Sequence, residues 1–133
     1  MNKPGSKGKV LVVDDLQSAV VLIGGMLSEF GFDVVSAENG QKAVDRVKEL
    51  MAKGGKFEAI FIDIAMPEVN GIEATKQIRA LGYPGAILAF SASNAMTTIK
   101  LAKAAGVDHF FAKSTFNKEL AKALIHKFCK IDV

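Results

Sequence analysis

FEAIFIDIAMPEVNG, residues 57–71, decides how the whole chain is read. Ala59 to Ile62 form an unbroken apolar run, rich in β-branched and aromatic side chains, that delivers one carboxylate, Asp63, to its C-terminal end. A run of this kind, bounded by Pro67 and the Asn70-Gly71 pair, reads as a strand buried on both faces. Such strands belong to parallel sheets covered by helices, and ligands gather there at the carboxyl ends of the strands. Asp63 therefore stands where chemistry is expected. The residues after it have structural readings: Met66-Pro67 fits a sharp exit from the strand, because proline presets φ. Gly71 after Asn70 suits a turn that needs positive φ.

Upstream, Lys9 to Val13 is a short apolar strand that runs into Asp14-Asp15. Leu16, Ala19, Val20, Ile23, Met26, Leu27 and Phe30 then recur at helical spacing until Gly31 stops the helix. Gly24-Gly25 sits inside that helix at about 1 kcal/mol each relative to alanine. Close packing is the plain reading of the pair, and a helix surface kept small for an approaching partner is the sharper one. Asp33 to Ala37 is a second strand, Asn39-Gly40 turns the chain, and Ala43, Val44, Val47, Leu50 and Met51 mark a second amphipathic helix closed by Gly54-Gly55.

Downstream of the central strand, a helix from about Ile72 to Leu81 ends at Gly82, with Pro84 just beyond. Ala86 to Phe90 is another buried strand, leading into Ser91-Ala92-Ser93, and a helix from about Ala95 to Ala105 stops at Gly106. Val107 to Ala112 is a fifth strand that ends at Lys113, and Phe116 to Phe128 is the last helix, with Leu120, Leu124, Ile125 and Phe128 on one face. Strand and helix thus alternate five times with the short connections that such units favour. Right-handed crossovers and covered faces give an α/β, doubly wound parallel sheet flanked by five helices. The flavodoxin-like order 2-1-3-4-5 is the common five-stranded solution.

With 133 residues, half of them apolar, the chain is expected to be one domain with a substantial core. No apolar run approaches a membrane span and the N-terminus lacks a signal-peptide pattern, so a soluble, cytoplasmic protein without membrane insertion is expected. The lone cysteine, Cys129, excludes an intramolecular disulfide and offers no zinc-type spacing. The net charge of +3 comes from the start of the chain. Lys3, Lys7 and Lys9 precede the first acid, which leaves 14 basic residues against 14 acids from Asp14 onward. Residues 1–8 read as a flexible basic tail and residues 9–130 as the folded domain. Without a clustered basic stripe carrying aromatics, direct nucleic-acid binding is not expected.

Sorted by position, the polar residues form a set. Strand one ends in Asp14 and Asp15, strand three in Asp63, strand four in Ser91 and strand five in Lys113. In a 2-1-3-4-5 sheet, strands one and three are neighbours, so three carboxylates converge. Two like charges about 4 Å apart cost about 4 kcal/mol at an effective dielectric near 20. A proton, a cation or a lysine must compensate, and hard oxygen ligands suit Mg²⁺; Lys113 supplies another positive charge. Singly, each residue has a structural explanation: Asp14-Asp15 as a helix N-cap, Ser91 as a turn residue, Lys113 as a solvated charge. Acid, acid, hydroxyl and amine at the ends of four separate strands point together to function.

Val13-Asp14-Asp15, Asp63 followed by Met66-Pro67 and Gly71, Ser91-Ala92, and Phe110 with Lys113 closely resemble the response-regulator receiver domain of two-component and phosphorelay signalling. The resemblance covers about Lys9 to Phe128, with five separated motifs in order on the expected elements. It implies that Asp63 is the phosphoacceptor, attacking a phosphoryl group carried on a histidine of a sensor kinase or histidine phosphotransfer protein. It implies Mg²⁺, with Mn²⁺ as a substitute, held by Asp15, Asp63 and the backbone carbonyl of Ala65, with Asp14 acting largely through water. Catalysis of this kind is positioning plus electrostatics. Lys113 would pair with one phosphoryl oxygen and Ser91 would donate a hydrogen bond to another. Ser91 and Phe110 would form the switch, which biases a surface of helix four, strand five and helix five toward an output partner. Such a domain catalyses its own phosphorylation and dephosphorylation and is not a turnover enzyme.

Three departures accompany the resemblance. The family often places a cis proline after the strand-five lysine, whereas Ser114 follows here, and a cis bond before serine would cost about 3–4 kcal/mol. Ser91 replaces the commoner threonine, and Phe110 is apolar where relatives often carry tyrosine, which favours a buried ring and a weaker switch. A phosphatase of the haloacid dehalogenase type would need a second acid two residues after Asp63, where Ala65 stands. A flavin-binding module would need a phosphate-binding loop after strand one, where two carboxylates stand. The remaining alternative is a docking module that keeps the fold without being switched by phosphate.

Overall fold

Val10 to Val13, Ala59 to Ile62 and Ile87 to Phe90 are fully shielded from solvent, which fixes three of the strands at the centre of a covered sheet. The computed structural model describes residues 5–64, 70–92 and 96–133. The Ala65 carbonyl, the Met66-Pro67 exit, Ser93 and a helix start at Ala95 lie outside the described residues, as do Lys3 and Pro4 of the basic tail. The strands are β1 Lys9–Val13, β2 Asp33–Ala37, β3 Phe57–Asp63, β4 Ala86–Ser91 and β5 His109–Ala112. All pair in parallel in the order β2-β1-β3-β4-β5. The helices are α1 Gln17–Glu29, α2 Gly40–Ala52, α3 Gly71–Ala80, α4 Met96–Ala105 and α5 Lys118–Leu124, the last continuing into a π-helical turn, Ile125–Cys129.

Alternate residues of each strand feed opposite faces, as the period of two requires. Leu11, Val13, Ile60, Ile62 and Ile87 meet α2, α3 and α4 through Val44, Val47, Ile78 and Ala102. Val10, Val12, Phe61, Leu88 and Phe90 meet α1 and α5 through Ile23, Leu27 and Leu124. Each large apolar side chain buried in this way contributes about 1.5–3 kcal/mol. The core thus covers β1, β3 and β4 from both sides and leaves their ends open, while the edge strands β2 and β5 are only partly covered.

Several local expectations are corrected. Asn39 and Asn70 do not serve simple turns; each is an extended N-cap, and so is Asn117. Their Oδ1 atoms accept from the backbone N–H groups of Lys42 at 2.8 Å, Glu73 at 2.9 Å and Leu120 at 2.8 Å. The last helix therefore starts at Lys118, and Phe116 is extended and buried instead of helical. Strand β5 begins at His109 and not at Val107, because the Asp108 carboxylate itself accepts from the Ile87 N–H at 2.9 Å and ends the ladder there. Gly71 does not have positive φ. Its reason is steric: a Cβ would lie 2.3 Å from the Asp63 carbonyl oxygen and 2.5 Å from Ile64 Cα.

Of the glycine pair in α1, Gly24 is a close-packing residue, since a Cβ would meet Val34 Cγ1 at 3.2 Å, whereas Gly25 faces open space. At the start of the chain, Lys7 is bound to the end of α1. Its N–H donates to the Gly31 carbonyl at 3.0 Å, and its ammonium donates to the Phe30 carbonyl at 2.7 Å, where the helix dipole favours a cation.

Gly71→Ala is expected to cost about 1–3 kcal/mol through overpacking, with a matching fall in the denaturant midpoint. The added methyl strikes the end of β3, so the Asp63 backbone amide should shift in NMR spectra more than amides at the far end of that strand. An unchanged midpoint would mean that α3 is not seated against β3 in this way.

Candidate functional site

Strand β1 carries its pairing one residue past Val13, where the Asp14 N–H donates to the Ala37 carbonyl at 3.2 Å. Asp14 is then 1% exposed, and its Oδ1 accepts from the Leu16 N–H at 2.9 Å, a local turn that reverses the chain into α1. The cap position of that helix is Leu16, with no side-chain hydrogen bond. Neither Asp14 nor Asp15 is the N-cap, so the structural explanation for the pair does not apply. Asp15 is exposed at the rim.

Asp63 closes β3 and is buried. Because Val13 pairs with Ile62, the acids that follow them, Asp14 and Asp63, sit level on neighbouring strands. One carboxylate oxygen from each of Asp14, Asp15 and Asp63 lies within 4.8 Å of the others. Lys113, directly after β5, reaches into this group: its Nζ is 2.9 Å from Asp14 Oδ2 and 3.5 Å from Asp63 Oδ2. Burial alone would lower the Lys113 pKa, but the contact with Asp14 and the charge of Asp63 hold it above the ordinary lysine value.

Among the described residues, Lys113 is the ammonium that pairs with this group of three carboxylates, through Asp14 and Asp63. Asp14 Oδ2 is shut off from solvent, and the ammonium beside it is an ion-pair partner without an aligned hydrogen bond. A buried carboxylate oxygen left in this condition is costly. Oxygen donors at this spacing suit a small divalent cation such as Mg²⁺, which takes one or two carboxylates and keeps several waters. Asp14, Asp15 and Asp63 therefore fit as its holders.

Ser91 closes β4 and is buried, and its strand neighbour Phe90 pairs with Asp63. Ser91 pairs with Ala112, and Phe110 pairs with Ala89, two residues back on the same face of the sheet. Phe110 is half-buried against the core beneath α4, short of the buried ring expected from its apolar character. The Lys113-Ser114 loop is a single turn of 3-10 helix, Lys113–Thr115, in which Thr115 Oγ1 donates to the Ala112 carbonyl at 2.7 Å. No peptide bond among the described residues is cis. Sequence reasoning missed Phe90, whose ring centroid is 5.4 Å from Lys113 Nζ. In the sequence it is one more apolar residue of a buried strand, and only the strand register places it under the lysine.

Asp15→Ala and Asp14→Asn should each weaken Mg²⁺ binding about tenfold or more, that is by about 1.4 kcal/mol or above, as read by calorimetric titration. A titration unchanged in both variants would remove the acids from the metal-holding role.

A family model described as the response regulator receiver domain matches residues 10–125. The chain is 32% identical over 117 residues to the chemotaxis protein CheY of Thermotoga maritima, which spans 87% of this chain and 93% of that protein. It is 37% identical over 123 residues to the osmosensing histidine protein kinase SLN1 of Saccharomyces cerevisiae, spanning 91% of this chain but only 10% of the kinase. Among solved structures, it is similar to the receiver domain of the histidine kinase CKI1 from Arabidopsis thaliana complexed with Mg²⁺ and BeF3-, with a TM-score of 0.75, 30% identity and 83% of each chain covered. It is also similar to a chain of the Saccharomyces cerevisiae co-crystal of the histidine phosphotransfer signaling protein Ypd1 and the receiver domain of Ssk1. That match has a TM-score of 0.78 and 29% identity, and covers 96% of this chain and 92% of the other.

Proposed function

We propose that this chain, which belongs to the response regulator receiver domain family, accepts a phosphoryl group on Asp63 and converts it into a change of surface for a partner. The observation that carries this reading is the buried Asp63 at the open end of β3, with two further acids and the Lys113 ammonium at 3.5 Å. A carboxylate oxygen of Asp63 attacks the phosphorus of a phosphohistidine. The new P–O bond forms as the P–N bond breaks, and the imidazole leaves with the bonding electrons and takes up a proton. Mg²⁺, when bound by Asp14, Asp15 and Asp63, would offset the negative charge of the phosphoryl oxygens. Lys113 holds one phosphoryl oxygen as an ion pair, and the Ser91 hydroxyl donates to another. Water later attacks the acyl phosphate and restores the carboxylate, so the domain catalyses both halves of its own cycle.

The donor is a sensor histidine kinase or a histidine phosphotransfer protein. Beside the site, α1 presents Leu16, Val21 and Leu22, each more than half exposed, and the bare backbone of Gly25. An uncharged apolar face of this kind suits a protein contact, and it gives Gly25, though not the packed Gly24, a use at the surface. Met96 and Leu101 are likewise exposed on α4, the helix between Ser91 and β5 in the chain, which suits the output partner. No helix among the described residues is long and apolar enough to cross a membrane; we place the domain, residues 9–130, in the cytoplasm, where such kinases present their phosphohistidines.

Intact mass after incubation with acetyl phosphate and Mg²⁺ should show one added phosphoryl group, lost in Asp63→Asn. Retained labelling in that variant would remove Asp63 as the acceptor. Absence of labelling from both acetyl phosphate and a phosphohistidine protein would favour the docking module not switched by phosphate, the reading that Ser114 and the apolar Phe110 motivate in the sequence. Leu22→Asp should slow transfer from the phosphohistidine protein about tenfold and leave labelling by acetyl phosphate unchanged. An equal loss with both donors would count against α1 as the contact.

A further inference from the structure

The Lys113 ammonium has a third neighbour besides its two acids. Phe90, fully buried on β4, places its ring centroid 5.4 Å from Nζ, inside the range at which a cation is attracted to an aromatic face. The strand pattern puts Phe90 on the α1 and α5 side of the sheet together with Phe111, its partner in register. We propose that Phe90 is a positioning residue for phosphoryl transfer, whose ring face carries the Lys113 ammonium and keeps it between Asp14 and Asp63.

The ring is itself held firmly. Phe111 stacks on Phe90 at 5.6 Å, Phe116 stacks on Phe111 at 5.4 Å, and Phe61 meets Phe116 edge-on at 6.3 Å. Strands β3, β4 and β5 and the segment leading into α5 thus share one aromatic array beneath the site. Lys113, in contrast, opens a short turn whose next two residues, Ser114 and Thr115, are exposed. A lysine stem has many rotamers, and a loop of this composition does little to choose among them.

The two acids attract the ammonium only while their own charge is unspent. A cation held by Asp14 and Asp63 weakens that attraction, and a phosphoryl group on Asp63 moves the negative charge out to the phosphoryl oxygens. The ring's attraction is unaffected by what binds the carboxylates. It also takes no oxygen acceptor, so the lysine's N–H groups stay available for a phosphoryl oxygen. Leucine at position 90 would fill the space without supplying the electron-rich face.

This inference rests on Asp63 being the acceptor, and the test separates the two. Phe90 is replaced by phenylalanines with one, two and three ring fluorines, which keep the shape and weaken the negative face stepwise, and by leucine in Phe90→Leu. The labelling rate with acetyl phosphate and Mg²⁺ is followed in each, together with the Lys113 ε-methylene proton shifts in the metal-free protein. The rate should fall stepwise with fluorination, by roughly 2- to 10-fold across the series, at an unchanged denaturant midpoint. In Phe90→Leu the ε-methylene protons should lose the upfield shift that a ring face confers. If Phe90→Leu does not fold, the fluorinated series still decides. A rate independent of fluorination, or ε-methylene shifts unchanged in Phe90→Leu, overturns the proposal. If the unsubstituted protein is not labelled at all, the acceptor reading fails instead, and the shifts alone decide whether the ring carries the ammonium.

Discussion

Crowded negative charge at one edge of the sheet is the constraint on which this structure turns. Three carboxylates offer oxygens within 4.8 Å of one another, and among the described residues Lys113 is the ammonium that pairs with two of them. At effective dielectrics near 20 each close like pair opposes the arrangement by about 4 kcal/mol. A protein of ordinary stability has only about 5–15 kcal/mol to set against such terms. The fold must therefore hold these acids in place by means other than their mutual interactions.

It does so through strands that are covered on both sides. Asp14 and Asp63 follow residues with no solvent exposure, on strands paired in register, so neither can retreat from the other without disturbing the core. The helix that follows β3 adds a second restraint. Gly71 lets α3 approach the Asp63 carbonyl more closely than any Cβ would permit, and the Asn70 cap fixes where that helix begins. Site and fold are thus coupled at the backbone: the packing that places Asp63 is the packing that α3 needs to start.

Much of this was legible in the sequence, for a physical reason. Fully buried parallel strands are apolar almost without interruption, so the polar residue that ends each one stands out, and Asp14, Asp63, Ser91 and Lys113 could be located from hydrophobicity alone. Strand order was not legible there; 2-1-3-4-5 was expected as the common five-stranded solution, and the sheet has it. What stayed hidden depends on geometry between elements. Gly71 reads as a turn glycine because its sequence neighbour is asparagine, while its actual reason, the approach of Ile64 and the Asp63 carbonyl, is a contact with another segment. Val107 and Asp108 read as strand because nothing local reveals that the Asp108 carboxylate competes for the Ile87 N–H. Phe116 reads as helix until Asn117 is seen to cap the helix after it. Phe90 is hidden by the same rule that exposes Ser91, since an apolar residue in a buried strand carries no mark of what lies across from it.

The restraints on α4 show how the charged edge connects to the rest of the surface. Its buried residues, Ala102 and Ala105, both lie in the second half of the helix. Just beyond, Arg79 donates to the Gly106 carbonyl at 2.9 and 3.0 Å and to the carbonyls of Tyr83 and Gly85, and pairs with Asp108 at 3.0 Å. One guanidinium thereby ties the end of α4 to α3 and to the start of β4. The opposite end has no comparable anchor among the described residues: Met96 and Thr97 are exposed, and Thr98 and Ile99 are only half-buried. Stability in such a helix is uneven, and regions with few buried apolar contacts open at lower free energy than those with many. The weakly held end is the one toward Ser91 and the acids. Among the described residues, then, α4 is anchored at its Arg79 end, while the residues that open it, nearer Ser91 in the chain, are the exposed ones.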